Sequence, residues 1–223
     1  MHSVYLVPLG HNRYELYTEP TDDAPAAPDP APGFFRQRIH RLRVGWHDAV
    51  QTARRGGAAG RWARVRDWAV CRAAETLAEQ RTLWSLRQAA SAQLWYPSDL
   101  SDGDAAALRT RLLADARRHH GVWLVLDSVL FVVSGLFVLV PGPNVFAYYF
   151  GLRLVGHFLS WRGARHALDQ TEWGAHAEPA LAELGRLAAE PRESRASRVQ
   201  AIAAGLNLPK LAAFFDRAAV PAR

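Results

Sequence analysis

Three charged or protonatable side chains stand within the two most apolar stretches of the chain. Asp127 is the only Asp, Glu, Lys, Arg or His in residues 121–140, and Arg153 and His157 are the only ones in residues 145–161. Such groups in apolar surroundings either pair with one another or mark a path for protons or ions. Two roles therefore stay open for these residues: a polar contact that joins two helices, or a proton relay.

The spacing of the three residues predicts that they meet. Residues 141–144, with the sequence PGPN, separate the two stretches, and no helix continues through such a turn. At about 1.5 Å per residue, Asp127 lies roughly 15 residues before the centre of this turn and His157 roughly 14 residues after it. We therefore expect both at the same level of a helical hairpin, with Arg153 one turn away on the face that carries His157.

The length and the flanks of the first stretch favour a membrane span. Residues 121–140 match the ~20 apolar residues that a helix needs to cross ~30 Å of hydrocarbon. Arg117 and Arg118 precede the first stretch, Arg162 and Arg165 follow the second, and the turn is uncharged. The positive-inside rule then predicts a transmembrane helical hairpin over residues 121–168, with both termini in the cytoplasm. The alternative is the buried central hairpin of a soluble helical bundle.

The turn and the second stretch read PGPNVFAYYFGLRLVGHFLSWRGARHAL over residues 141–168. This segment resembles the mitochondrial K+–H+ exchange-related family, whose members carry a Pro-Asn turn and then an aromatic-rich helix with Arg, His and Gly at regular steps. Residues 4–19 and 75–100 are similar to other parts of the family. Besides Arg153 and His157, the family-like motif comprises Pro141, Gly142, Pro143, Asn144, Tyr149, Gly163 and His166.

The resemblance implies a relation to potassium–proton exchange, as the exchanger or as a supporting protein, and it implies no particular ion-binding or catalytic residues. The composition is rich in Ala and has 26 Arg against the single Lys210, which indicates a bacterial relative. The first 20 residues contain no apolar signal segment and no Arg-rich amphipathic helix, so we expect no targeting peptide.

The remaining segments complete a prediction of a mainly α protein. Alternating residues predict a β-hairpin over residues 1–18, and residues 19–33 have the Pro/Ala/Asp-rich composition of a linker. Residues 34–120 hold 16 Arg and eight acidic residues and predict a basic amphipathic helical region. Residues 169–223 predict a C-terminal helical segment. The predicted fold is a helical bundle with a central transmembrane helical hairpin and a short N-terminal β-hairpin.

The sequence argues against several classes of function. The single cysteine, Cys71, excludes an intramolecular disulfide framework and a Cys-based zinc site. The sequence has no Gly-rich phosphate loop, no HExxH and no GxSxG motif, so we predict no enzyme, no catalytic residues, no metal and no cofactor. Residues 198–217 have the spacing of a helix-turn-helix, but the second helix offers DNA only Lys210 and Arg217.

The sequence thus predicts a small integral membrane protein of the bacterial inner (cytoplasmic) membrane. By resemblance, we expect an accessory in monovalent cation/proton (K+/H+) homeostasis whose partner is the lipid bilayer. A second copy of the chain and a membrane protein are the candidates for a further partner. The alternatives are a membrane-anchored helical interaction module without a transport role, and a soluble basic bundle that binds nucleic acid, although we expect no nucleic-acid partner.

Overall fold

The computed structural model describes residues 2–19, 82–135 and 145–219, all of which belong to one compact unit. The predicted linker over residues 19–33 lies outside the described residues, apart from its first residue. The same holds for most of the predicted basic helical region. The four turn residues of the family-like motif, Pro141, Gly142, Pro143 and Asn144, also lie outside them.

Residues 2–17 form two antiparallel strands and the turn that joins them. Strand β1 spans His2–Pro8 and strand β2 spans Tyr14–Tyr17, with Leu6 opposite Leu16 in the register. The turn between them contains Gly10 with a φ of 85°, followed by His11 and Asn12, which also have positive φ. Gly and Asn adopt this left-handed conformation more readily than other residues, so the sequence favours a turn here.

Two further strands extend this pair into a four-stranded sheet. Strand β3 spans Ser91–Pro97 and strand β4 spans Glu172–Glu178, and the order across the described sheet is β2-β1-β3-β4. Both β1 with β3 and β3 with β4 pair in parallel, with Leu94 of β3 level with Val4 and Ala175. Strand β1 is therefore in the interior of the sheet, whereas β4 and β2 are at its edges.

Five helices whose bounds the structure describes complete the fold, and residues 82–86 are also helical. Helix α1 spans Asp102–Gly135 and helix α2 spans Val145–Asp169, and three shorter helices follow β4: α3 (Pro179–Leu187), α4 (Arg192–Gly205) and α5 (Leu211–Ala218). Gly121 lies beside Trp161, and Gly151 lies beside Phe131. The two long helices consequently run antiparallel to each other.

The sheet separates two apolar cores. Val4 and Leu6 of β1 belong to one core together with α1, α2 and the segment 82–89, whereas Val7 belongs to the other core together with α3, α4 and α5. This division follows from the alternation of side chains along a strand. Among the described residues, neither core includes any residue between 117 and 163, so one half of the α1–α2 pair extends beyond the sheet.

The predicted fold class is wrong. The chain is a mixed α/β protein, and no described helix is both long enough and apolar enough to cross a membrane. The apolar stretch does not form a helix of its own, because α1 begins at Asp102 and first runs through the charged residues 109–120.

The predicted segments also differ from the structure in strand content. Strand β4 lies within residues 169–223, which were predicted as a C-terminal helical segment. The sequence of β4, EWGAHAE, contains Gly and Ala and few β-branched or aromatic residues, so its strand propensity is low. Its extended conformation comes from pairing with β3, which a local pattern does not reveal.

Candidate functional site

The site lies between α1 and α2, in the half of the helix pair that extends beyond the sheet. Asp127 of α1 is fully buried. Arg153 of α2 donates from Nε to Asp127 Oδ2 over 3.2 Å, and His157 Nε2 lies 3.5 Å from the same oxygen. The structure therefore brings together the three residues whose spacing predicted a meeting, and we call Asp127, Arg153, His157, His120 and Tyr149 the polar cluster.

Helix geometry explains why these residues share one interface. His120 and Asp127 are seven residues apart on α1, and Tyr149, Arg153 and His157 follow one another at four-residue steps on α2. Both spacings return to the same side of a helix. Because α1 and α2 are antiparallel, the two rows of polar side chains face each other over about two turns.

His120 is the member of the cluster that sequence reasoning missed. Its Nδ1 atom lies 2.9 Å from Nδ1 of His157, a hydrogen-bond distance between the two imidazole rings. The sequence signal was available, because His120 stands seven residues before Asp127. It was not used because His120 belongs to a charged run, residues 117–120, that was interpreted only as the flank of a membrane span.

The Arg153 guanidinium is held on more than one side. Its Nη1 donates to the Tyr149 hydroxyl over 3.3 Å, and its central carbon lies 5.0 Å from the centre of the Trp123 ring. Cation–π contact and the Asp127 carboxylate both favour the charged guanidinium at this position. The cluster thus combines a buried carboxylate with a fixed cation.

Burial lowers the pKa of both imidazoles. The pKa of His120 falls to about 4, mainly through burial and further through the nearby His157 and His119 rings. Burial also lowers the pKa of His157, and Arg153 and His119 act in the same direction, although the Asp127 carboxylate opposes them. At neutral pH both rings are therefore neutral, and each has one donor and one acceptor nitrogen.

The second carboxylate oxygen of the cluster lacks a partner. Asp127 Oδ1 is buried, and no hydrogen-bond donor within the described ranges reaches it. An unsatisfied buried carboxylate oxygen costs free energy, and such atoms often occur at sites that have a role beyond packing. Asp127 is therefore only half satisfied by Arg153 and His157.

Two residues of the family-like motif lie away from the polar cluster, at the end of α2 near the sheet. Gly163 packs against the chain at Leu83 so closely that an added Cβ atom would lie 1.8 Å from the Leu83 carbonyl oxygen. A ring nitrogen of His166, Nε2, lies 3.3 Å from the Ala89 carbonyl oxygen. These two positions hold α2 against the segment that leads into β3.

The chemistry that this arrangement supports is the binding and transfer of protons. Within residues 2–19, 82–135 and 145–219, no group of three or more His, Cys, Asp or Glu is placed to hold a metal ion. The cluster does contain two hydrogen-bonded neutral imidazoles next to a carboxylate, and this is a set of groups that accept and donate protons in sequence.

The outward faces of the same helix half are apolar. Within the part of the chain that the structure describes, ten large hydrophobic side chains are exposed, and all of them belong to α1 or α2: Val122, Val125, Leu126, Val129, Phe131, Val132, Val133, Tyr149, Val155 and Phe158. Val132 is 72% exposed and Val125 is 66% exposed. A contiguous apolar surface of this kind usually contacts a partner or a lipid.

The fold and the site define a mixed α/β protein with a half-satisfied buried carboxylate and a histidine pair between two long helices. Residues 61–170 match the mitochondrial K+-H+ exchange-related family, and this range contains α1, α2 and the whole polar cluster. The resemblance that the sequence indicated is thereby confirmed over these residues. No curated protein and no solved structure matches the chain.

Proposed function

We propose that the protein is an accessory in monovalent cation/proton (K+/H+) homeostasis that acts at the cytoplasmic face of a bacterial inner membrane. The observation that carries the proposal is the overlap of the family match, residues 61–170, with the helix pair and its polar cluster. A relation to potassium–proton exchange requires groups that handle protons, and the cluster supplies two imidazoles and a carboxylate.

The exposed surface of the helix pair supports contact with lipid. Val122, Val125, Val129 and Val132 recur at steps of three or four residues, which places them along one side of α1. An apolar helical face of this kind can rest in the boundary between the headgroups and the acyl chains of a bilayer without crossing it.

The charges around this surface favour an anionic bilayer. Arg117 and Arg118 on α1 and Arg162 on α2 are exposed, whereas the single acidic residue between positions 117 and 163, Asp127, is buried and paired. Each basic residue near an anionic lipid surface contributes about 1 kcal/mol of attraction. The arginines therefore complement phosphate headgroups at the edge of the apolar surface.

The experiment that tests the proposal is deletion of the gene in the native organism, followed by measurement of cytoplasmic pH recovery after a potassium load. We expect recovery to slow by at least twofold in the deletion strain. The wild-type gene and the control Asp169→Asn should restore it, because Asp169 is exposed and pairs with Arg165 at the end of α2, away from the polar cluster. Asp127→Asn, expressed at an equal level, should not restore it.

Normal recovery in the deletion strain would contradict the proposal, as would full complementation by Asp127→Asn. The second candidate, an interaction module without a transport role, is favoured by the exposed apolar surface alone. It predicts unchanged recovery together with protein that sediments with membranes.

A further inference from the structure

We propose that His120 and His157 form a proton relay, which takes up a proton at His120 and places the resulting charge on His157 beside Asp127. This inference deepens the proposed function, on which it rests for its biological purpose, by naming the site that handles the proton. The relay itself is a property of the purified protein.

The first step of the argument is the contact between the two rings. A distance of 2.9 Å between two Nδ1 atoms leaves room for one hydrogen, so one ring donates and the other accepts. The tautomers of the two rings are therefore coupled: when His120 donates from Nδ1, His157 accepts there. His157 then carries its own hydrogen on Nε2, which faces Asp127 Oδ2 at 3.5 Å.

The second step is the movement of a proton through this arrangement. A hydronium ion protonates the free Nε2 of His120, which forms one N–H bond and leaves a water molecule. The Nδ1–H bond of His120 then breaks as an Nδ1–H bond forms on His157. His120 is again neutral, in its other tautomer, and His157 carries the positive charge. One proton enters, one is stored, and no bond other than N–H bonds changes.

The third step is the electrostatic difference between the two rings. His119 faces His120, with ring centres 5.3 Å apart, while Asp127 from α1 and Arg153 from α2 face His157. Trp123, which is uncharged, stacks on His157. Of the two rings, His157 is the one that has a carboxylate next to it among the described residues, so the charge is more favourable on His157 than on His120. The lowered pKa of His120, about 4, agrees with a ring that passes a proton on and does not keep it.

The fourth step concerns access and the receiving group. His119 is exposed and His120 is partly exposed, whereas Asp127 is fully buried. Solvent therefore reaches the outer ring, whereas the inner carboxylate is buried. Asp127 Oδ1 has no hydrogen-bond partner among the described residues. The carboxylate can therefore accept a further hydrogen bond once His157 is charged.

The test is 15N NMR of the full-length protein with labelled histidine, between pH 4 and pH 8. In the wild type we expect one His120–His157 nitrogen pair to share a single hydrogen. We also expect His157 ring protons to exchange rapidly with water. His120→Phe should slow that exchange by at least tenfold, because the route through the outer ring is removed. The matched control His119→Phe, at an exposed neighbour, should leave the rate within twofold.

An unchanged His157 exchange rate in His120→Phe would overturn the relay, and so would two Nδ1 atoms that share no hydrogen. The search for a shared hydrogen uses the wild-type protein, so it can overturn the relay even if His120→Phe does not fold. A purely structural contact would lower stability in the variant without slowing exchange. Normal potassium-dependent pH recovery in the deletion strain would contradict the proposed function but leave the exchange result intact, so the two failures are distinguishable.

Discussion

At the scale of single residues, the two ends of α2 do different things. Near the sheet, Gly163 has a steric purpose, because it lets the helix approach the Leu83 carbonyl. Farther out, Arg153 and His157 have an electrostatic purpose, because they compensate the Asp127 carboxylate. The resemblance placed Gly163, Arg153 and His157 in one motif. The structure shows that the glycine serves packing and that the other two residues belong to a charged cluster.

We predict that Gly163→Ala destabilises the protein. The new methyl group would lie 1.8 Å from the Leu83 carbonyl oxygen, so backbone must move. Overpacking of this kind costs about 1–3 kcal/mol, and each kcal/mol lowers Tm by roughly 2–4 °C in a chain of this size. The control is Gly205→Ala in α4, where an added Cβ meets no atom within 4 Å. Thermal unfolding of both variants by circular dichroism provides the measurement, and an unchanged Tm for Gly163→Ala would contradict the prediction.

At the scale of elements, the sequence predicted the contacts that follow from local spacing and missed those that join distant parts of the chain. The level of Asp127 with His157 follows from the constant rise of two antiparallel helices, so counting residues was enough. The alternation of Val4 and Leu6 likewise predicted a strand. Pairing of Leu94 with Ala175 joins residues that are far apart in sequence, and no local pattern encodes it.

The transmembrane hairpin was predicted wrongly because the apolar residues from position 121 onward were interpreted as a helix of their own. In the structure the apolar residues 121–135 are the continuation of a charged helix, and their inward side carries Asp127 next to α2. Outward residues such as Val125 account for much of the hydropathy. The exposed face of the helix pair can therefore be tested as a surface that contacts lipid.

We predict that this face binds vesicles with anionic headgroups. The double variant Val125→Asn/Val132→Asn removes two exposed apolar side chains and no charge. If each side chain contributes about 1.5 kcal/mol on burial in lipid, the variant should bind at least tenfold more weakly. Co-flotation with phosphatidylglycerol-containing vesicles, at low and high salt, measures this, and salt should weaken the wild-type binding.

The matched control for vesicle binding is Ala196→Asn, at an exposed position of α4 on the other side of the sheet. It should bind like the wild type. Equal binding by the double variant and the wild type would contradict the assignment of this face to lipid. So would a dimer in sedimentation that the double variant abolishes without any vesicle binding.

At the scale of the whole molecule, β1 connects the two halves of the fold. Its neighbours are β2 on one side and β3 on the other, and its side chains enter both cores. The sequence predicted a short N-terminal β-hairpin over residues 1–18. Its place in the middle of the sheet makes it instead a structural requirement for both layers of helices.

We predict that Leu6→Ala lowers the stability of the entire described fold. Leu6 is fully buried in the core shared with α1 and α2, and a buried Leu→Ala change costs about 2–5 kcal/mol. Hydrogen exchange should accelerate in α2 and in α3–α5 alike. The control Val125→Ala, at an exposed position, should change neither the stability nor the hydrogen exchange of these helices. Faster exchange confined to β1 and β2 would show that the hairpin is an independent appendage.

The order β2-β1-β3-β4 also has a consequence for synthesis on the ribosome. Strand β1 is made first, but its neighbour β3 ends at Pro97 and the outer strand β4 ends at Glu178. At roughly 5–20 residues per second, the nascent β1 waits about 4–18 s for β3 and longer for the rest of the sheet. During that interval its apolar residues are available to chaperones and to other nascent chains. Expression yield should therefore depend on translation rate more strongly than the size of the protein suggests.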